Sequence, residues 1–243
     1  MKLKIILVIF FAALPGIIFG QRTVIENKTI KENTENYEID VTYPQVVVFY
    51  TLRNVKGMEP GINLALDSMM TDQVNAFKKE AERNTLKEGV KNIYKVEGEV
   101  FFKDHGFMSI LFTNFTSFSG AAHPLTTFSS YNASAEGKLN ISDLLIMDSG
   151  WPQFLSEHSI KELKKNAAKN GYRDESLIEQ GAGPDAANFT VFNVSQDSLY
   201  LIFNPYQVGP YIMGSQRVAI SLNDLAAFIN SKGPLEYLFP ISK

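Results

Sequence analysis

The sequence predicts an α+β fold with antiparallel sheet and two or three packed helices. Three observations carry this. Strand-like runs come in groups rather than alternating strictly with helices. A three-and-four-residue apolar period over 62–81 gives way to a two-residue period from Tyr94. Turn signals such as Asp104-His105-Gly106 and Glu136-Gly137-Lys138 fall between consecutive strand candidates.

Residues 1–20 read as a signal peptide. Met1-Lys2-Leu3-Lys4 is a short basic start, Ile5 to Leu14 is uninterrupted and apolar, and Pro15-Gly16 breaks the run before Gly20. So short a run falls below the roughly 20 residues that span a bilayer, so the expectation is cleavage after Gly20 and no stable membrane span afterwards. The exported chain should be periplasmic or secreted. The formal net charge is −3, and losing Lys2 and Lys4 with the leader makes it −5, which argues against a nucleic-acid partner. With no cysteine, disulfides and thiolate metal sites are excluded and the fold rests on its core.

Residues 21–40 read as a flexible or edge-strand leader, and 41–118 as a smaller amino-terminal α+β part. There, Val46 to Tyr50 forms a strand and Gly57 to Gly61 a turn. Ile62, Leu66, Met70, Val74, Phe77 and Ala81 line one helix face. Tyr94, Val96, Gly98, Val100 and Phe102 then face one side of a strand, with Lys95, Glu97, Glu99 and Lys103 on the other. Residues 107–118 and 125–131 extend this into a meander.

Residues 119–243 form the carboxy-terminal α+β part, expected to make one compact unit with the preceding part. A short capped helix is expected at Ser142 to Leu145, and a longer one from Pro152 to a left-handed stop at Asn170-Gly171. Trp151 should pack where that helix begins. Strands are expected at 189–194, 199–203 and 217–220, and a last helix capped by Ser221 or Asn223 should run through Ile229.

Two connections stand out as recognition loops. In Tyr200 to Gly214, Asn204-Pro205 ends a strand, and Gly209, Pro210 and Gly214 fix a loop that displays Tyr206, Tyr211 and Met213, the candidate binding residues. In Ser119 to Tyr131, Gly120, His123 and Pro124 shape the connection. The sequence has no G-x-S-x-G, H-E-x-x-H, phosphate-binding glycine loop or EF-hand pattern. His105, His123 and His158 lack helix-ligand spacing, so neither a metal nor another cofactor is expected. Ser119 and His123, four residues apart, are the remaining nucleophile and base pair for a hydrolase, and a His123 that only holds its loop is the competing reading.

Ser119-Gly120-Ala121-Ala122-His123-Pro124, then Thr126-Thr127-Phe128 and Gly137-Lys138-Leu139-Asn140-Ile141-Ser142-Asp143-Leu144, resemble a glycine-histidine signature. It belongs to an exported bacterial domain of unassigned function. That domain is shared by the outer part of RsiV-type anti-sigma factors, the non-catalytic part of PdaC-type peptidoglycan deacetylases and the mycobacterial secreted immunogenic antigen. Gly181-Ala182-Gly183-Pro184, Asn188 to Val191, and Leu201 to Tyr206 with Gly209-Pro210 and Gly214 agree in kind and order, although Ala121 stands where the motif often has glycine. Tyr43-Pro44 and Gly61-Ile62-Asn63 resemble the smaller deacetylase-associated domain that precedes it. The resemblance implies an exported binding module rather than an enzyme, with a lysozyme-like envelope or foreign protein as partner, as in the RsiV-type relatives. A peptidoglycan or glycan ligand is the alternative, and a Ser119/His123 hydrolase the third reading.

Overall fold

The computed structural model describes residues 23–48, 59–84 and 89–238. The expected signal peptide and its cleavage site, Phe49-Tyr50 and Gly57 lie outside the described residues.

The chain is α+β, with a six-stranded mixed sheet and a three-stranded antiparallel one. The large sheet is made, in order across it, of β1 (Val24–Asn33), β2 (Tyr37–Val48), β3 (Asn92–Asp104), β4 (Phe107–Ser117), β5 (Leu125–Ser134) and β6 (Gly137–Leu139). The leader is an edge strand, paired with β2 along its whole length from Val24 to Asn33. All neighbours are antiparallel except β2 and β3, which run parallel from Tyr37/Asn92 to Thr42/Glu97. The departure from an all-antiparallel sheet has a simple cause: α1 (Glu59–Ala81) lies between β2 and β3 in sequence, and a parallel pair needs such a crossover.

All six apolar residues of the expected α1 stripe, Ile62 through Ala81, are buried. They pack against Ile39, Val41 and Tyr43 of β2, Tyr94 and Val96 of β3, and Met108, Ile110 and Phe112 of β4. Gly98 lies inside this layer for want of space, since a Cβ there would be 2.7 Å from the Pro44 ring and 2.8 Å from Phe112.

A bulge between Val100 and Phe102 breaks the expected alternation of β3. The extra residue reverses the side-chain parity. Val100 therefore packs toward α1, while Phe102 joins a second core on the opposite face.

That second core is built by α2 (Ile141–Leu144), α3 (Trp151–Lys169), α4 (Ser176–Gly181) and the small sheet β7 (Phe192–Val194), β8 (Ser198–Phe203) and β9 (Gln216–Ser221). Asp143 of α2 accepts the Asn140 N–H at 2.7 Å, as a capping residue does. Trp151 is buried at the start of α3, and Gly171 takes φ 74° just past its end. β4 feeds both cores. Phe107 points into the second, and Met108, Ile110 and Phe112 into the first. Residues 118 and 119 lie between β4 and β5, which pair from Phe107/Ser134 to Thr116/Leu125, so the sheet continues through the expected division between the two parts.

Two sequence expectations fail. The strand at 189–194 shrinks to β7, because Ala186–Phe189 is a 3-10 turn whose Ala187 N–H is held by the Asp185 carboxylate. No helix forms over 221–229. The N–H groups of Leu225 and Ile229 make four-residue bonds, but those of Asp224, Ala226 and Phe228 make three-residue ones. The end of this segment is drawn instead to 144–146, where Phe228 accepts from Ile146 and Asn230 donates to Leu144.

Candidate functional site

The two recognition loops predicted from sequence meet at one place, beside the start of β5. Each is pinned at its base. In the first, the buried Ser119 donates its N–H to the Asn92 side chain at 2.8 Å, and Gly120 turns the chain outward at φ 87°. Residues 120–125 are then exposed.

The second loop leaves β8 at Asn204. Its side chain acts as an extra rung on the outer edge of β5, accepting from the Phe128 N–H at 2.6 Å and donating to the Phe128 carbonyl at 3.0 Å. Gln207 ties the turn inward. Its oxygen accepts the Asn204 N–H, and its amide donates to the carbonyls of Gly181 (3.1 Å) and Asn188 (2.9 Å). Gly181 must lack a side chain here, since a Cβ would lie 1.8 Å from the Gln207 carbonyl oxygen. Val208 and Gly209 are buried, a 3-10 turn spans Tyr211–Met213, and Gly214 at φ 62° leads into β9.

At the junction the His123 ring stacks on Tyr211, with centroids 3.8 Å apart and planes inclined by 23°. Its Nδ1 is 3.0 Å from the Pro124 carbonyl and its Nε2 is 3.3 Å from the Tyr206 hydroxyl. A carbonyl can only accept, so the proton belongs on Nδ1 and Tyr206 donates to Nε2. Tyr211 donates its hydroxyl to the same Pro124 carbonyl at 2.7 Å. Tyr206 is 54% exposed and holds φ 71°, a backbone conformation unfavourable to any residue with a Cβ. Tyrosine in this strained place displays its ring to solvent.

His123, Pro124, Tyr206 and Tyr211 are thus brought together, and Gly120, Pro205, Gly209, Pro210 and Gly214 belong to the two loops that frame them. Met213 turns inward, covering Gly209 and packing against the second core. The outermost apolar side chain is its neighbour Ile212, 90% exposed. Sequence reasoning passed over Ile212, and used Asn204 only as a strand terminator. The N-P-Y-Q run does carry a signal for the latter, because Pro205 has no N–H with which to continue the ladder and leaves Asn204 at the strand end, where its side chain can bond sideways. The partners of Gln207 are 19 and 26 residues away, and nothing local marks them.

Both His123 ring nitrogens are engaged by Pro124 and Tyr206, and the backbone of Ser119 is held below the loop by Asn92. Among the described residues no three His, Asp or Glu side chains converge as metal ligands would. None of the described helices is long and apolar enough to cross a membrane. A cavity of about 500 Å³ opens near His105, Glu136, Lys138 and Asp143. Glu136 there accepts from Ser134, and Asp143 is spent on capping α2.

Residues 30–126 match the family model described as Deacetylase PdaC, and residues 142–223 match that described as Protein of unknown function (DUF3298). The peptidoglycan-N-acetylmuramic acid deacetylase PdaC of Bacillus subtilis (strain 168) is 28% identical over an alignment of 203 residues that covers 81% of this chain and 40% of that enzyme. The chain therefore spans well under half the length of this relative. Among solved structures, a DUF3298 family member from Bacteroides fragilis superposes with a TM-score of 0.57 at 12% identity, covering 89% of this chain and 97% of that one. A DUF3298 family protein from Pseudomonas aeruginosa PAO1 gives 0.58 at 11% identity, covering 87% and 97%. At such identities the structures speak for the fold alone. The sequence matches support a DUF3298/PdaC-type domain, and the fold agrees with that of DUF3298 family members.

Proposed function

We propose that this chain is an exported, non-catalytic binding domain of the bacterial envelope, and that its capture surface is the joined pair of loops at 120–125 and 206–214. The observation that supports it is the Tyr206–His123–Tyr211 cluster. Its frame is held by Asn204, Gln207 and Gly181, while Tyr206 and Ile212 project outward. Aromatic side chains already fixed before contact lose little entropy on binding, which is how a small patch gains affinity. An exposed isoleucine beside them is the kind of apolar anchor a protein partner covers.

The partner proposed is a lysozyme-type muramidase, on the strength of the resemblance to the outer domain of RsiV-type anti-sigma factors. The similarity to a peptidoglycan deacetylase supports the envelope setting. For the hydrolase reading Ser119 would have to hand its proton to His123, and that imidazole is committed to Tyr206 and Pro124 instead.

The test is capture of a c-type lysozyme by the immobilised chain, with insoluble peptidoglycan as the second bait. Wild type should retain lysozyme, and the Tyr206→Ser/Ile212→Asp double variant should retain at least tenfold less at an unchanged melting temperature. Retention by peptidoglycan alone would replace the protein partner by the glycan. Equal retention of lysozyme by both forms would move the site away from these loops.

A further inference from the structure

A second surface, distinct from the loop pair, lies on the face of the large sheet opposite α1. Strand register puts ten side chains there in two ranks. One runs Lys31, Asp40, Lys95, Phe115, Thr126 across β1 to β5, and the other Thr29, Thr42, Glu97, Thr113, Phe128. Residues paired in register share a face, and residues two apart on a strand share it too, so the grid follows from the backbone. Five strands make it roughly 19 Å wide at ordinary strand spacing. Its middle is a cavity of about 320 Å³, lined by Asp40, Thr42, Lys95, Glu97, Thr113 and Phe115.

The chemistry of these ranks restricts what can lie on them. Their charges nearly balance, Lys31 and Lys95 against Asp40, Glu97 and the Glu38 that bonds Lys95, so a polyanion is not favoured. Lys31 is already bonded to Asp40 at 3.0 Å, and Lys95 to Glu38 at 3.1 Å. Glu97, Thr113 and Thr126 have no side-chain partner among the described residues, and stand ready to accept or donate. Between them the half-buried rings of Phe115 and Phe128, diagonal to each other on neighbouring strands, offer flat apolar faces. A protein interface would be expected to centre on a desolvated apolar cluster, and this surface has none. Sugar rings fit. Their hydroxyls both donate and accept, and their C–H faces lie against the negative face of an aromatic ring. An ordinary solvated sheet face needs no ligand, but here Phe115 lines a concave site beside the unpaired Thr113 hydroxyl and Glu97 carboxylate, with Phe128 paired in register to Thr113.

We propose that this two-ranked shelf is a binding site for an oligosaccharide of low net charge, laid across β2 to β5. The site goes beyond the loop-based reading and does not depend on it.

The test is titration of the purified chain with chitohexaose and with cellohexaose, by calorimetry and by NMR. Saturable binding of either sugar is expected, with the largest chemical-shift changes at Thr113, Phe115, Thr126 and Phe128. The Glu97→Ala/Thr113→Ala variant, which changes only exposed or half-exposed side chains, should weaken binding at least tenfold. The Tyr206→Ser/Ile212→Asp variant should bind the sugar as wild type does, so that failure of this site and failure of the loop surface are distinguishable. Absence of saturable binding by both sugars at millimolar concentration would overturn the proposal. So would loss of binding in the loop variant together with its survival in the shelf variant.

Discussion

Tyr206 is the residue on which structure and proposed function meet. Its positive φ costs on the order of 1–2 kcal/mol for a residue with a Cβ, and its hydroxyl regains a part of this through one exposed hydrogen bond to His123. Tyr206→Gly should therefore leave the melting temperature unchanged or slightly raised, while lowering lysozyme retention at least tenfold. A marked fall in melting temperature would make the ring structural. A ring with buried hydrogen bonds would make His123→Ala cost roughly 1–3 kcal/mol, but His123 is exposed. Its loss should cost less than that, through the Tyr211 stacking and the exposed bonds to Pro124 and Tyr206. Gly181 behaves oppositely. Gly181→Ala drives a methyl into the Gln207 carbonyl, so a loss of about 3 kcal/mol in urea unfolding is expected.

At the scale of elements, α1 is joined to the β1/β2 hairpin by a polar network as well as by its apolar stripe. Asp67 of α1 accepts from Lys28 at 2.8 Å, from Tyr43 at 2.8 Å and from Gln45 at 3.0 Å. Burial alone would raise the Asp67 pKa, but the hydrogen bonds from Lys28 and Tyr43, the Lys28 charge and the Gln45 bond outweigh it and hold the carboxyl below its usual value. A carboxyl depressed in the folded state stabilises fully above its unfolded pKa of about 4 and loses that contribution as pH falls through the folded value. The urea midpoint of wild type should thus drop below pH 4, and the gap between wild type and Asp67→Asn should close over the same range. A gap that stays constant from pH 7 to pH 3 would contradict this role. Tyr43 shares the arrangement: burial, then its bond to the Asp67 carboxylate, raises its phenol far above the ordinary range, so it remains a donor at any physiological pH.

For the whole molecule the decisive contact is between the two sheets. Ser109 of β4, fully buried, accepts from the Asn193 amide at 2.9 Å and from the Val194 N–H at 3.0 Å. Asn132 of β5 donates to the Phe192 carbonyl, and Ser130 accepts the Phe192 N–H. Ser109→Ala leaves two buried donors without a partner, at about 1–3 kcal/mol each, and calorimetry should show a correspondingly lower melting temperature. Because β4 supplies Phe107 to one core and Met108, Ile110 and Phe112 to the other, the two cores should unfold in a single transition. A fragment of 119–243 lacks β4, and should give the poorly dispersed NMR spectrum of an unfolded chain. A well-dispersed spectrum would show that 119–243 folds without β4.

The α1 stripe, the capped α2, the stop of α3 at Gly171 and most of the strands could be read from sequence, because each rests on side-chain period or on a turn residue within a few positions. The two loops at 119–131 and 200–214 were legible for the same reason, since Gly, Pro and Tyr announce themselves locally. That the loops touch was not, because Tyr206 and His123 are 83 residues apart and the Asn204–Phe128 rung spans 76. The bulge in β3, which sends Phe102 to the other core, depends on the register of the β3/β4 hairpin, which the alternation of β3 by itself does not reveal. The same holds for 221–229, whose helical pattern is outweighed by pairing with 144–146. Local chemistry determined the elements and marked the loops. Only the tertiary structure decided which faces became cores, which side chains stayed outside and which distant residues closed into a site, because burial and register are properties of pairs far apart in the chain.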